Sequence, residues 1–187
     1  MLSKREVHTL QRAAIRRELS RIFPGSTLCY NSYHKPYLST SPELSLSLSH
    51  SGSYVVIGVA PEGHTMGVDV EIHTERAEHV KSRFCSSCEL HLLTRYHLPL
   101  VVLWSAKESV YKIFSERIRG FGKTILLKEI ILTESAIPTL IFDVLLGEEH
   151  KESVPVHILR REDPTLTYAI SPELQLPEPP AWPAHLR

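Results

Sequence analysis

Residues 44–49 alternate strictly, with Leu44, Leu46 and Leu48 on one face and Ser45, Ser47 and Ser49 on the other. Successive side chains of a strand leave opposite faces, so this period of two predicts a half-buried β-strand. Tyr54 to Ala60 is more uniformly apolar and predicts a more deeply buried strand. Pro61-Glu62-Gly63 reads as a turn and Met66 to Ile72 as the returning strand, which predicts a hairpin between the two. Upstream the period lengthens. Val7, Leu10, Ala14 and Ile22 recur at near-helical spacing, Ser3 and Glu6 stand as a capping box, and Pro24-Gly25 ends the segment. The first segment is therefore read as a helix. It is followed by a short strand at Leu28 to Asn31 and a loop holding Lys35-Pro36 and Ser41-Pro42.

Downstream, Glu75 to Lys81 and Ser87 to His97 read as helices. Leu100 to Arg117 is a longer one that turns Leu100, Leu103, Val110, Tyr111 and Phe114 toward a core. After Gly120 the pattern becomes β-rich, with strands predicted at Thr124–Leu132, Leu140–Leu146, Val154–Leu159 and Leu166–Ile170. From Ser171 onward five prolines (Pro172, Pro177, Pro179, Pro180 and Pro183) interrupt any periodicity, and this tail is read as extended over the surface or disordered. The class that follows is α+β, helices packed on antiparallel sheet.

Composition narrows the functional classes. The 187 residues suffice for one ample core or two small ones. Lys+Arg 21 balance Asp+Glu 21, which argues against binding nucleic acid or an anionic membrane by bulk charge. Hydrophobic residues at 42% and charged residues at 22% suit a folded globular protein. Cys29, Cys85 and Cys88 are an odd, scattered set that makes no disulfide framework. Met1 to Glu6 lacks the apolar stretch of a signal peptide, and the longest apolar run, Leu98 to Trp104, contains Pro99 and is too short to span a bilayer. A reduced, cytoplasmic protein is expected.

Two charged pairs stand out. Asp69 and Glu71, at i and i+2 of a strand, leave the same face, while Val68, Val70 and Ile72 take the opposite, core-facing side. Adjacent carboxylates repel unless a cation lies between them, and an oxygen-only set suits Mg²⁺; the other reading is an exposed acidic strand face. Glu108 and Lys112 lie at i and i+4 of the long helix, one turn beyond Trp104, a spacing that ordinary surface pairs also use. Cys85, Cys88 and His91, with His97 nearby, have zinc-like spacing but lack a fourth ligand, and are read as packing or surface residues.

Taken together, four segments resemble the signature of the 4′-phosphopantetheinyl transferase superfamily. Gly67-Val68-Asp69-Val70-Glu71 meets its G-x-D-x-E pattern, and Trp104 to Lys112 meets W-x-x-K-E-[SA]-x-x-K. Ser49-His50-Ser51-Gly52 looks like its S-H-S-G segment and Lys35-Pro36 like its K-P motif. Arg83-Phe84 ahead of Glu89 resembles the stretch that members carry between the two main motifs. The resemblance implies a pseudo-dimeric α+β fold of two similar subdomains with coenzyme A in the cleft between them. On that pattern residues 1–62 form a shortened N-terminal subdomain, 63–170 a C-terminal subdomain with the metal site, and 171–187 the Pro-rich tail. The glycine turn after Lys112 is displaced to Arg119-Gly120-Phe121-Gly122.

The resemblance further implies transfer of 4′-phosphopantetheine from coenzyme A to a serine of an acyl or peptidyl carrier protein, releasing 3′,5′-ADP. Asp69, Glu71 and Glu108 would hold Mg²⁺, Glu108 would serve as base, and Lys112 would meet the pyrophosphate. Lys35, Ser49 and His50 would hold other coenzyme A phosphates. Lys107 is expected to support the helix or the carrier, and Trp104 to be a packing residue. Arg5, Arg12 and Arg16 read as a solvated face, or as contacts to a coenzyme A phosphate or an acidic carrier. The chain would act as a monomer or a homodimer. The alternative is a non-catalytic module that binds coenzyme A or a carrier protein.

Overall fold

The structure is a computed structural model that describes residues 2–72, 74–118, 120–132, 138–147, 150–160 and 164–172. Ser3 caps the first helix, α1 (Lys4–Ile22): its hydroxyl accepts from the Glu6 amide, and the Glu6 carboxylate accepts from the Ser3 amide. Two short strands, β1 (Leu28–Tyr30) and β2 (Pro36–Leu38), pair antiparallel. Strand β2 lies where the sequence predicts a loop, because three residues beginning at a proline carry no periodicity. Next come β3 (Ser45–Ser51), β4 (Tyr54–Ala60) and β5 (Thr65–Glu71), then helices α2 (Thr74–Val80), α3 (Ser87–Arg95) and α4 (Leu100–Phe114). Helix α4 ends three residues before the expected Arg117, in a turn. Strands β6 (Ile125–Ile131), β7 (Thr139–Leu145), β8 (Lys151–Arg160) and β9 (Thr165–Ser171) complete the chain.

Helix α4 packs on a five-stranded antiparallel sheet ordered β5-β9-β8-β7-β6. Its buried Val102, Leu103, Ala106 and Val110 join Phe142, Val144 and Val156 of the sheet in the main core. The helix approaches β5 so closely that a Cβ at Gly67 would collide with the Ser109 carbonyl, which gives a steric reason for glycine at that position. A second core forms where Ile15 and Leu19 of α1 meet Leu38 and Leu46. A third, of Ala60, Met66, Val68 and Ile170, lies on the other face of β5. Among the described residues no helix is long and apolar enough to cross a membrane.

The expected hairpin of β4 with β5 does not form. Strand β4 pairs with β3, while β5 pairs with β9 along its full length. The reason lies in the serines of β3, expected to face outward but largely buried: Ser47, Ser49 and Ser51 are each no more than 7% exposed. Their hydroxyls occupy the β5 edge that β4 would have needed. Strand β9 runs to Ser171, and of the expected tail residues 173–187 lie outside the described ones.

Candidate active site

Both faces of β5 are covered, so the even-numbered side is not the only core-facing one. Gly67, Asp69 and Glu71 face α4, and Asp69 is only 4% exposed. A carboxylate this deep needs partners. Asp69 Oδ1 accepts from Ser49 Oγ at 2.8 Å and from Lys112 Nζ at 2.8 Å, and Lys112 also donates to the Val68 carbonyl at 2.7 Å. Asp69 Oδ2 is buried with no partner. Glu71 is held at both oxygens, by Trp104 Nε1 at 3.0 Å and Ser51 Oγ at 3.2 Å. Burial, reinforced by Asp69, pushes the Glu71 carboxyl above its ordinary range.

Glu108 sits on α4 one turn beyond Trp104 and one turn before Lys112, and accepts no hydrogen bond among the described residues. Burial and then the charge of Asp69 push its carboxyl up to about 7; Lys112 pulls it down and Glu71 adds to the rise. Three carboxylates therefore crowd one another, with Lys112 in contact with Asp69 and the charge of Arg76 drawing Glu71 and Glu108 slightly down. The Trp104 ring is fixed edge-on between Phe84 at 5.0 Å and Phe121 at 5.4 Å between ring centres.

Lys112 also lines a cavity of about 570 Å³ bounded by α1, the β1–β2 turn, β3 and the end of α4. Arg12, Lys35, His50 and Tyr111 line it as well. The turn is docked by Asn31, whose Oδ1 accepts the amides of Tyr33 and Lys35 at 2.9 Å and whose Nδ2 donates to Glu116 at 2.9 Å. Lys35 Nζ donates to the Ile113 carbonyl at 3.1 Å, one of the carbonyls an α-helix leaves free at its C-terminus. Burial lowers the Lys35 and His50 pKa values, and for His50 the neighbouring His8, edge-on at 5.2 Å between ring centres, adds to it.

The structure thus brings Asp69, Glu71, Glu108 and Lys112 close enough to act on one another electrostatically, and places Lys35, His50 and Lys112 around one cavity that the three carboxylates do not line. Ser49 does not line that cavity, because its hydroxyl is turned to Asp69. Sequence reasoning missed Ser51 and the indole of Trp104 as holders of Glu71. The signals were present: Ser51 continues the serine alternation, and Trp104 shares the Glu108 stripe one turn away. Lys107 is fully buried against Glu89 and the Phe84 carbonyl, away from the pocket. Cys85 and Cys88 are free thiols.

Among the described residues no group of three or more His, Cys, Asp or Glu side chains is arranged as a ready metal cage. The fit to a hard divalent ion lies in donor chemistry. An unpartnered buried Asp69 oxygen, an unpaired Glu108 carboxylate and Glu71 supply oxygen ligands only, with an excess of negative charge.

The family model of the 4′-phosphopantetheinyl transferase superfamily matches residues 65–169, more than half of the chain. The match runs from β5 to β9 and contains Asp69, Glu71, Glu108 and Lys112, while Lys35, Ser49 and His50 precede it. A curated 4′-phosphopantetheinyl transferase of Bacillus subtilis is 30% identical over 93 residues, covering 47% of this chain and 41% of the relative. The matched part of the chain spans less than half of that relative's length.

Proposed function

This chain belongs to the 4′-phosphopantetheinyl transferase superfamily, and we propose that it moves 4′-phosphopantetheine from coenzyme A to a serine hydroxyl of an acyl or peptidyl carrier protein. The observation that carries the reading is the shared lysine: Lys112 lines a cavity that Arg12 and Lys35 also line, and it is bonded to Asp69, whose charge acts on Glu71 and Glu108. A pyrophosphate lying at Lys112 meets cationic side chains on one side and the carboxylates on the other. Residues 1–62 and 63–170 act as the smaller and larger subdomains flanking the cavity.

In the transfer, the carrier serine oxygen forms a bond to the β-phosphorus of coenzyme A, and the bond from that phosphorus to the bridging oxygen breaks. The pair of electrons leaves with 3′,5′-ADP. Charge grows on phosphate oxygens, so positioning and electrostatic neutralisation dominate catalysis. Lys112 Nζ donates to the pyrophosphate, while Lys35, His50 and Arg12 hold the remaining phosphates of coenzyme A. Glu108 accepts the serine proton, directly or through one water, and its raised pKa makes it a stronger base than an ordinary carboxylate. Asp69, Glu71 and Glu108 would hold Mg²⁺, which when bound supplies neutralisation of the pyrophosphate charge.

The test is incubation of apo-carrier proteins with coenzyme A and Mg²⁺, read by mass spectrometry. A mass increase of one phosphopantetheine on the carrier serine is expected, abolished by Glu108→Ala. Binding of coenzyme A with no transfer to any acyl or peptidyl carrier would overturn the enzyme reading in favour of a non-catalytic binding module.

A further inference from the structure

The serines of β3 carry a feature that coenzyme A binding does not use. Strand β5 is an edge strand of the large sheet, with β9 on one side, so every second N–H on its other side needs an acceptor. No strand supplies it. Instead Ser45, Ser47, Ser49 and Ser51 accept, hydroxyl by hydroxyl, from the amides of Met66, Val68, Val70 and Ile72 at 2.9, 3.0, 3.3 and 3.2 Å. The period of two in the β3 serines matches the period of two in the β5 amides, so the two sheets are stitched in a fixed register.

A serine hydroxyl that accepts from an amide still has one proton to give. At Ser49 it goes to Asp69 Oδ1 at 2.8 Å, and at Ser51 to Glu71 Oε2 at 3.2 Å. Helix α4 supplies the second donor to each carboxylate, Lys112 to Asp69 and Trp104 to Glu71. Each carboxylate is therefore gripped between β3 and α4, and Asp69 is left with one oxygen free of protein partners. We propose that Ser49 and Ser51 are positioning residues that orient Asp69 and Glu71 for a divalent cation, with Ser45 serving only the stitch between the sheets. This inference rests on reading Asp69 and Glu71 as cation-holding carboxylates. A group that fixes the orientation of a metal ligand typically contributes one to two orders of magnitude in metal affinity.

The test compares Ser45→Ala, Ser49→Ala, Ser51→Ala and Asp69→Asn in the full chain. Mn²⁺ affinity is followed by the loss of the free-ion paramagnetic resonance signal, and melting is measured in chelator. All three serine variants strand one amide along the β5 edge, and Ser49→Ala and Ser51→Ala also remove a donor to a carboxylate, so melting temperatures should fall in all three and least in Ser45→Ala. Mn²⁺ dissociation constants should rise about tenfold in Ser49→Ala and Ser51→Ala and stay within twofold in Ser45→Ala. If Asp69→Asn loses Mn²⁺ while Ser49→Ala and Ser51→Ala bind it like Ser45→Ala, the positioning role is overturned and the cation reading stands. If Asp69→Asn binds Mn²⁺ like the parent chain, the cation reading itself falls.

Discussion

Helix α4 carries two lysines five residues apart, and each meets a carboxylate brought by another element. Lys107 Nζ lies 2.7 Å from Glu89 and Lys112 Nζ 2.8 Å from Asp69. The first pair is sealed, with side chains 0% and 3% exposed, and every polar atom is used. Glu89 also accepts from the Leu127 amide and from the amide and hydroxyl of Ser86, while Lys107 also donates to the Phe84 carbonyl. The second pair is open at the lysine, 26% exposed, and leaves Asp69 Oδ2 without a partner beside two further carboxylates. Equal chemistry thus serves opposite ends. A buried ion pair whose hydrogen bonds are complete ties α3 and the Phe84 segment to α4; the other leaves one buried carboxylate oxygen without a partner and its lysine partly open to solvent.

The widest separation between the two pairs should come from Lys107→Met. Removing one partner strands Glu89 in the core, and breaking a buried pair in this way costs about 3–5 kcal/mol. Urea unfolding should show a loss of that order, with activity falling only as the folded fraction falls. A loss below about 1 kcal/mol would mean that the pair is not the fixed point its geometry implies.

Asp69→Asn should behave in the reverse manner. It deletes one of three crowded carboxylates, so the melting temperature in chelator should stay within a few degrees of the parent. Carrier modification should drop by at least about 10²-fold, the scale of losing one electrostatic contact to a reacting group. A coupled loss of stability and activity, parallel to Lys107→Met, would erase the distinction between the pairs.

The sequence shows the second pair better than the first. Asp69 and Glu71 share a face because a strand repeats every two residues, and Glu108, Lys112 and Trp104 share a stripe because a helix repeats every three to four. Local geometry fixes such relations, and the motif spacing displays them. Partners chosen across the fold are not displayed. Glu89 looks like a capping residue for α3, which it is, but its bond to Lys107 depends on how α3 docks. A short turn predicts a β4–β5 hairpin, yet β5 takes β9, nearly a hundred residues on, as its backbone partner. The β3 serines looked solvent-facing because a polar alternation carries no mark of satisfied burial; only the unpaired edge of β5 explains them. The α+β class and the four main-motif residues are readable, whereas the hydrogen bonds of Ser49 to Asp69 and of Ser51 to Glu71 are not.

The smallest of these effects concerns Glu108 and has a sign fixed by linkage. Its carboxyl stands near 7 in the folded chain against 4.5 as the ordinary value. Below pH 4.5 both folded and unfolded chains hold the proton, and Glu108 contributes nothing to the pH dependence. Between pH 4.5 and 7 the unfolded chain releases the proton first, so the folded state loses stability as pH rises, and the penalty is constant above 7. Solvent reaches part of the side chain, which brings the expected penalty to about 1–2 kcal/mol. Glu108→Gln should therefore raise the melting temperature in chelator by a few degrees at pH 8 and leave it unchanged at pH 4.5. Lys107→Gln, beside a carboxylate whose hydrogen bonds are otherwise complete, should lower it at pH 8. Opposite signs for two substitutions on neighbouring residues of one helix would separate the strained pocket from the finished ion pair; equal signs would show that Glu108 is not crowded by Asp69 and Glu71.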